Sequence, residues 1–279
     1  MPEISPARYR AGEGEPLVLI HGFTATWRCW LPVLPELVAR YDVLAPTLTG
    51  HDGGPEAGKD APHDLQAAGD HLEQELDAQG IETAHLVGNS LGGALALELA
   101  KRGRARSVVA LAPGGGWHPG DPEGERLVRF FTRQLKMARM AAPRAGRIMA
   151  RPGTRRIAFR DVMCHGEQMP PAEAVAMLRS SLRCTVVEDA FEAIRSGKGV
   201  MTDLGRIACP VLVAWPEKDR ILPMAKHSPR FRAEIAGVEY RVLPRIGHLP
   251  MWDDPALVGH TITEFVEGAA TAAATPAAA

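Results

Sequence analysis

A single hydroxyl sits between two glycines in Gly88-Asn89-Ser90-Leu91-Gly92, where the apolar run 84–90 gives way to a helical pattern over 91–102. A serine hydroxyl is a weak nucleophile until a neighbouring base takes its proton, so a reactive one must be held exposed and within reach of a histidine. A sharp strand-to-helix turn does this. It forces strained backbone angles and brings main chain close on both sides, which favours glycine two residues before and two after the nucleophile. The same turn places Ser90 at a helix N-terminus, where free N–H groups and the helix dipole favour negative charge. The N–H of Leu91 is therefore a candidate donor to the oxyanion of a tetrahedral intermediate. A second donor is expected from the loop after an earlier strand, and "LIHGF" offers the N–H of Phe23. The side chain of His21 is expected only to shape that turn.

The base and the acid that orients it are expected in the order serine, acid, histidine. "VLVAWPEKDRILP" ends an apolar run and exposes Glu217 and Asp219, and "VLPRIGHLPMWDDP" ends the next and exposes His248. The interval between Asp219 and His248 holds one helix and one strand. Asp219 is preferred as the acid, with Glu217 its rival. Of the ten histidines, His85 falls within a strand pattern and His227 and His260 in helical ones. His51, His63, His71, His118 and His165 precede or lie within a central helical stretch, so only His248 sits on the loop after the last strand. Asp254 and Pro255 after it read as the cap and first residue of a final helix.

These loops need a rigid platform. Short apolar runs at 16–22, 41–47, 84–90, 107–113, 210–216 and 238–244 read as buried strands, and the early ones alternate with helical patterns. That order predicts an α/β fold: a mostly parallel sheet with helices on both faces. Between Pro113 and Cys209 the alternation stops and helical spacing prevails, which predicts a helical insertion, opened by the Gly- and Pro-rich "PGGGWHPGDPEG". The expected organisation is a core of 1–113 and 209–267, a helical cap of 114–208, and a low-complexity, disordered tail of 268–279.

Together these motifs resemble the α/β-hydrolase family, in particular its serine-nucleophile, cap-bearing members. "PLVLIHGF", "HLVGNSLGG", "PVLVAWPEKDRILP" and "IGHLPMWDDP" carry the resemblance over nearly the whole chain. It implies a cap inserted after strand six, Ser90, Asp219 and His248 as nucleophile, acid and base, and Phe23 and Leu91 as oxyanion donors. Haloalkane dehalogenases and epoxide hydrolases share the fold but use an aspartate nucleophile, so the serine argues against both. Two positions depart from common patterns. Thr47 stands where many relatives carry aspartate, and Leu249 where meta-cleavage hydrolases usually show an aromatic residue.

With 32 basic and 33 acidic residues, the chain has no overall charge that would draw it to nucleic acid. No apolar run is long enough for an integral membrane segment, and no secretory signal opens the chain. Four scattered cysteines show neither a disulfide framework nor a zinc spacing, so a cytoplasmic protein with inert thiols is expected. No metal or organic cofactor is implied. From Arg126 to Arg160 there are eleven Lys or Arg and no acid. This stretch reads either as a solvated helix face or as an attractor of an anionic substrate, acidic partner or acidic lipid surface. Trp27 is the candidate wall of an apolar pocket. The expected activity is cleavage of an ester-like bond in a small, largely apolar substrate through an acyl-enzyme. Carbon–carbon, thioester, lactone or perhydrolytic chemistry on the same triad is the alternative, and a non-catalytic binding protein is a more distant one. Oligomeric state is left open by the sequence.

Overall fold

A computed structural model describes residues 2–58 and 64–274. Eight strands form one sheet in the order β1-β2-β4-β3-β5-β6-β7-β8. They are β1 (Glu3–Ile4), β2 (Arg8–Ala11), β3 (Pro16–Ile20), β4 (Asp42–Pro46), β5 (Ala84–Asn89), β6 (Ala105–Leu111), β7 (Val211–Pro216) and β8 (Glu239–Leu243). From β4 to β8 every pairing is parallel, while β1 and β2 add an antiparallel edge. The six apolar runs are the six parallel strands. The two edge strands were not expected from the sequence: β2 is half-buried Arg-Tyr-Arg-Ala, whose charges suppress any apolar signal.

Alternation along the strands divides the core in two. Val18, Ile20, Leu86, Val108 and Val213 face one layer, built with α2 (Leu65–Ala78), α3 (Leu91–Lys101) and α9 (Met224–Glu234). Leu17, Leu19, Val87, Val109 and Leu212 face the other, built with α1 (Leu34–Leu37) and α11 (Pro255–Ala274). A strand covered on both faces has no solvent side to mark with polar residues, which is why these read as continuous apolar runs. α3 is buried from Gly92 through Ala100, and its small residues let it lie close against the sheet.

Between β6 and β7 the described chain forms α4 (Glu123–Ala141), α5 (Ala145–Met149), α6 (Pro152–Phe159), α7 (Pro171–Ser181) and α8 (Val187–Arg195), with no strand. After β8 come α10 (Pro250–Asp253) and α11. Asp254 caps α11 as expected, its Oδ1 accepting the Leu257 N–H at 2.9 Å. The end of the chain departs from expectation. α11 continues to Ala274, because alanine has the highest helix propensity and the tract simply extends a helix already anchored on the sheet. The remainder of the expected disordered tail, 275–279, lies outside the described residues, as does His63.

Candidate active site

Parallel strands end on one side of the sheet, and registers such as Ile20 with Gly88, Asn89 with Leu111 and Pro216 with Leu243 bring the loops after β3, β5, β6, β7 and β8 to a common edge. Ser90 begins that edge. It sits at φ 57° and ψ −115°, a conformation L side chains rarely adopt, directly before α3. Main-chain bonds hold it there: Ser90 N–H to Leu111 O at 3.0 Å, and Gly114 N–H to Ser90 O at 2.9 Å. The flanking glycines answer to close approach. A Cβ on Gly88 would lie 2.0 Å from Gly92 O, and one on Gly92 would lie 2.0 Å from Ile20 O. The first amide groups of α3, including that of Leu91, have no intrahelical acceptor. The loop carrying Phe23 is close by, since a Cβ on Gly22 would lie 3.3 Å from Ser90 Cβ.

His21 holds that loop. Its Nδ1–H donates to Gly22 O at 2.8 Å, which leaves Nε2 to accept the Leu48 N–H at 2.9 Å. Full burial, with His51 adjacent, keeps the ring well below the usual imidazole range and therefore neutral. Its side chain thus fastens the end of β3 to the loop after β4.

Asp219 and His248 meet as a buried pair. Asp219 Oδ2 lies 2.6 Å from His248 Nδ1, with the two side chains 0% and 4% exposed. Asp219 Oδ1 accepts the amides of Ile221 at 2.9 Å and Leu222 at 2.8 Å. With Oδ1 and Oδ2 both accepting, His248 Nδ1–H is the donor to Asp219, which leaves Nε2 on the far side of the ring as the nitrogen that can face a substrate. The rival, Glu217, points to solvent, bonded to Lys218 Nζ and to the Arg245 amide. The parity is local: residues 217 and 218 continue ladder-like bonds with Leu243 and Ile246, and the next turn carries 219 inward.

Two carboxyl or amide side chains without any sequence signature position the histidine loop. Asn89, buried beside Ser90, donates Nδ2–H to His248 O at 3.0 Å and to Leu111 O at 3.2 Å. Asp253, 7% exposed, accepts the amides of Gly247 and His165 at 2.7 Å and of Cys164 at 2.8 Å. The Leu249 amide adds a bond to Val162 O at 2.8 Å. The loop of His248 is therefore stitched both to the elbow and to the segment following α6.

A cavity of about 350 Å³ opens beside Ser90. Near the serine it is lined by Phe23, Leu91, Trp117, Leu127, Phe131 and Leu222; farther along it meets Arg8, His71 and Glu75. Arg8 Nε and Glu75 Oε1 are 3.0 Å apart there, and burial raises the Glu75 carboxyl despite the arginine. Phe23 contributes more than an amide, since its ring meets Phe131 edge-on at 5.1 Å. His51 also lines the cavity, with Nδ1 3.2 Å from Thr49 O and burial pushing it down to about 4. Thr47, another lining residue, donates Oγ1–H to Pro6 O at 2.8 Å. Trp27 does not border this cavity. It is buried in the opposite layer of the core, its indole N–H donating to Ser5 O at 2.9 Å. Nearness in sequence to the Phe23 loop made it look like a wall; the helical turn Trp27–Trp30 instead packs it into the layer behind the sheet.

Chemically, this edge brings together a strained serine at a helix N-terminus, free amides, a histidine held through Nδ1 by a buried carboxylate and an apolar cavity. Among the described residues no cluster of His, Cys, Asp or Glu could hold a metal ion, no helix is long and apolar enough to cross a membrane, and all four cysteines are free.

Known proteins share this fold. A sequence model of the alpha/beta hydrolase family matches residues 17–260. The chain is 32% identical over 199 residues to the epoxide hydrolase EphH of Mycobacterium tuberculosis, covering 71% of this chain and 92% of that protein. Among solved structures, a 2-hydroxy-6-oxo-6-phenylhexa-2,4-dienoate hydrolase from Rhodococcus sp. superposes with a TM-score of 0.74 at 25% identity, covering 96% of this chain and all (100%) of the other. An esterase from Thermogutta terrifontis superposes with a TM-score of 0.72 at 21% identity over 96% of this chain and 99% of its own, a likeness of fold.

Proposed function

The chain belongs to the alpha/beta hydrolase family, and we propose that it is a serine hydrolase cleaving an ester-like bond of a small, largely apolar substrate. The observation that carries this reading is the buried Asp219–His248 pair at 2.6 Å, on the same sheet edge as a serine held at φ 57°. In this mechanism His248 Nε2 takes the proton of Ser90 as its oxygen attacks the substrate carbonyl. The N–H groups of Phe23 and Leu91 receive the charge that moves onto the carbonyl oxygen. His248 then protonates the leaving alcohol, and the same base activates water to release the acid from the acyl-enzyme. The apolar wall of Leu127, Phe131 and Leu222 holds the acyl group, and the volume of about 350 Å³ suits a small one, near the lower end of ligand cavities. The helices between β6 and β7 act as the cap over this cavity, and the free thiols favour a cytoplasmic setting.

A second reading is epoxide opening, favoured by the 32% identical relative named an epoxide hydrolase. Chemistry at position 90 opposes it. Serine attack on an epoxide carbon would leave an ether, which water does not cleave under the conditions that release an ester. Carbon–carbon cleavage on the same residues is the nearer alternative, given the Rhodococcus dienoate hydrolase among the structural relatives.

The test is labelling with a fluorophosphonate followed by peptide mass spectrometry, alongside turnover of chromogenic esters, a meta-cleavage dienoate, an acyl thioester and styrene oxide. An adduct on Ser90, ester turnover and its loss in Ser90→Ala are expected. Epoxide turnover retained in Ser90→Ala, or an unlabelled Ser90, would overturn the proposal.

A further inference from the structure

Five large apolar side chains stand exposed among the described residues, and three fall within one short stretch: Met137 at 56%, Met140 at 65% and Ile157 at 67%. At 100° per residue, Arg129, Arg133, Lys136, Met137 and Met140 lie within one arc of about 100° on α4. Leu127, Val128 and Leu135 occupy the opposite, buried side. α6 is divided in the same way: Arg155 and Phe159 point inward, Arg156 and Ile157 outward. The end of α4, α5 and α6 share one apolar cluster around Ala145, Met149 and Phe159, and Asp161, just past α6, reaches Arg133 and Gln134 at 3.5 and 3.2 Å. The outward faces of these helices therefore adjoin.

Much of the charge on this surface is uncompensated. Arg126, Arg129, Arg133 and Arg160 have acidic partners, and Arg155 is buried against main-chain carbonyls. Lys136, Arg139, Arg144, Arg147, Arg151 and Arg156 are exposed and form no ion pair with a described residue. A merely solvated face has no use for three large exposed apolar side chains amid six unpaired cations. A nucleic-acid surface would use the cations but not the aliphatic and thioether groups, which cannot stack on bases. An anionic bilayer uses both: apolar side chains enter the headgroup boundary while arginines meet lipid phosphates.

We propose that the outer face of α4 to α6 docks this protein on an anionic phospholipid bilayer, with Met137, Met140 and Ile157 at the headgroup level. Docking is a property of this patch, because the whole chain carries a formal charge of −1. It is independent of the chemistry at Ser90, yet the same α4 lines the cavity through Leu127 and Phe131, so the docked face and the substrate cavity are two sides of one helix.

The experiment is flotation of the full chain with vesicles of phosphatidylcholine alone or mixed with phosphatidylglycerol, at low and high salt. Binding is expected only to the mixed vesicles and is expected to weaken with salt. Each cation near such a surface contributes a factor of about five, so Arg139→Glu with Arg147→Glu and Arg156→Glu should lower the partition constant by ~100-fold or more. A second variant, Met137→Ser with Met140→Ser and Ile157→Ser, keeps every charge and should weaken binding about tenfold or more. Circular dichroism checks that both variants fold. Failure of the wild-type chain to bind mixed vesicles, equal binding to phosphatidylcholine alone, or unchanged binding in the folded charge variant would each overturn the proposal. So would tighter binding to duplex DNA at equal ionic strength that ignores the apolar variant.

Discussion

Replacing Asp219 by asparagine removes one charge and almost no volume, and the geometry dictates how the site responds. Oδ1 accepts two amides, Ile221 at 2.9 Å and Leu222 at 2.8 Å. Amides only donate, so the asparagine oxygen must stay at that position and its NH₂ must face His248 Nδ1. Two donors cannot meet there, and the imidazole adjusts by moving its proton to Nε2. The nitrogen that should accept the serine proton then already carries one. Loss of the productive tautomer in a serine triad costs about 10⁴ in kcat, equivalent to ~5.5 kcal/mol of transition-state stabilisation. The assay is initial rates with a chromogenic short-chain ester, with thermal unfolding as the check on folding. Glu217→Gln serves as the matched control and should change the rate less than about twofold, because that side chain bonds only to Lys218 and the Arg245 amide at the surface. A folded Asp219→Asn protein keeping more than about a tenth of wild-type kcat would refute the tautomer argument.

Asp253→Ala should orphan the amides of Gly247, Cys164 and His165, costing about 3–6 kcal/mol in urea unfolding. Asp253→Asn, which retains one acceptor oxygen, should recover part of that loss; equal loss in both would show that packing rather than the amides is at stake. Gly92→Ala places a Cβ 2.0 Å from Ile20 O and should destabilise by more than about 3 kcal/mol. Gly80→Ala, whose Cβ meets nothing within 4 Å at φ +72°, should cost only about 1–2 kcal/mol; similar melting temperatures for the two would contradict the close approach at the elbow. His51 and His227 are both pushed down to about 4 by burial. A folded value below the unfolded one means the unfolded chain binds the proton first, so stability is full above about 6.5 and falls as pH drops toward 4. The loss should reach about 2 kcal/mol for each histidine at pH 5, read as falling denaturation midpoints between pH 7.5 and 5; a flat profile would count against neutral buried rings.

Local rules were enough for much of this protein. Buried parallel strands must be apolar on both faces, so β3 to β7 stood out as runs, and the helix after Asp254-Pro255 was announced by its own cap. Gly88 and Gly92 marked the elbow because only a missing Cβ lets main chain approach as it does at Gly92 O and Ile20 O. The edge strand β2 was silent because pairing with β4 is a tertiary contact that needs no apolar pattern. Asp219 was already preferred over Glu217 from the sequence, but what turns the one carboxylate inward and the other outward is tertiary: the bonds of residues 217 and 218 to Leu243 and Ile246. Trp27 was placed by the packing of its helical turn behind the sheet, not by its nearness in sequence to Phe23. Asn89 and Asp253 acquire their roles only when residues 159 and 88 positions away arrive beside them. Composition and spacing fixed which groups could react, because reactivity and turn geometry are local. Folding alone decided which of them face one another, because a buried hydrogen bond belongs to two distant segments and is written in neither.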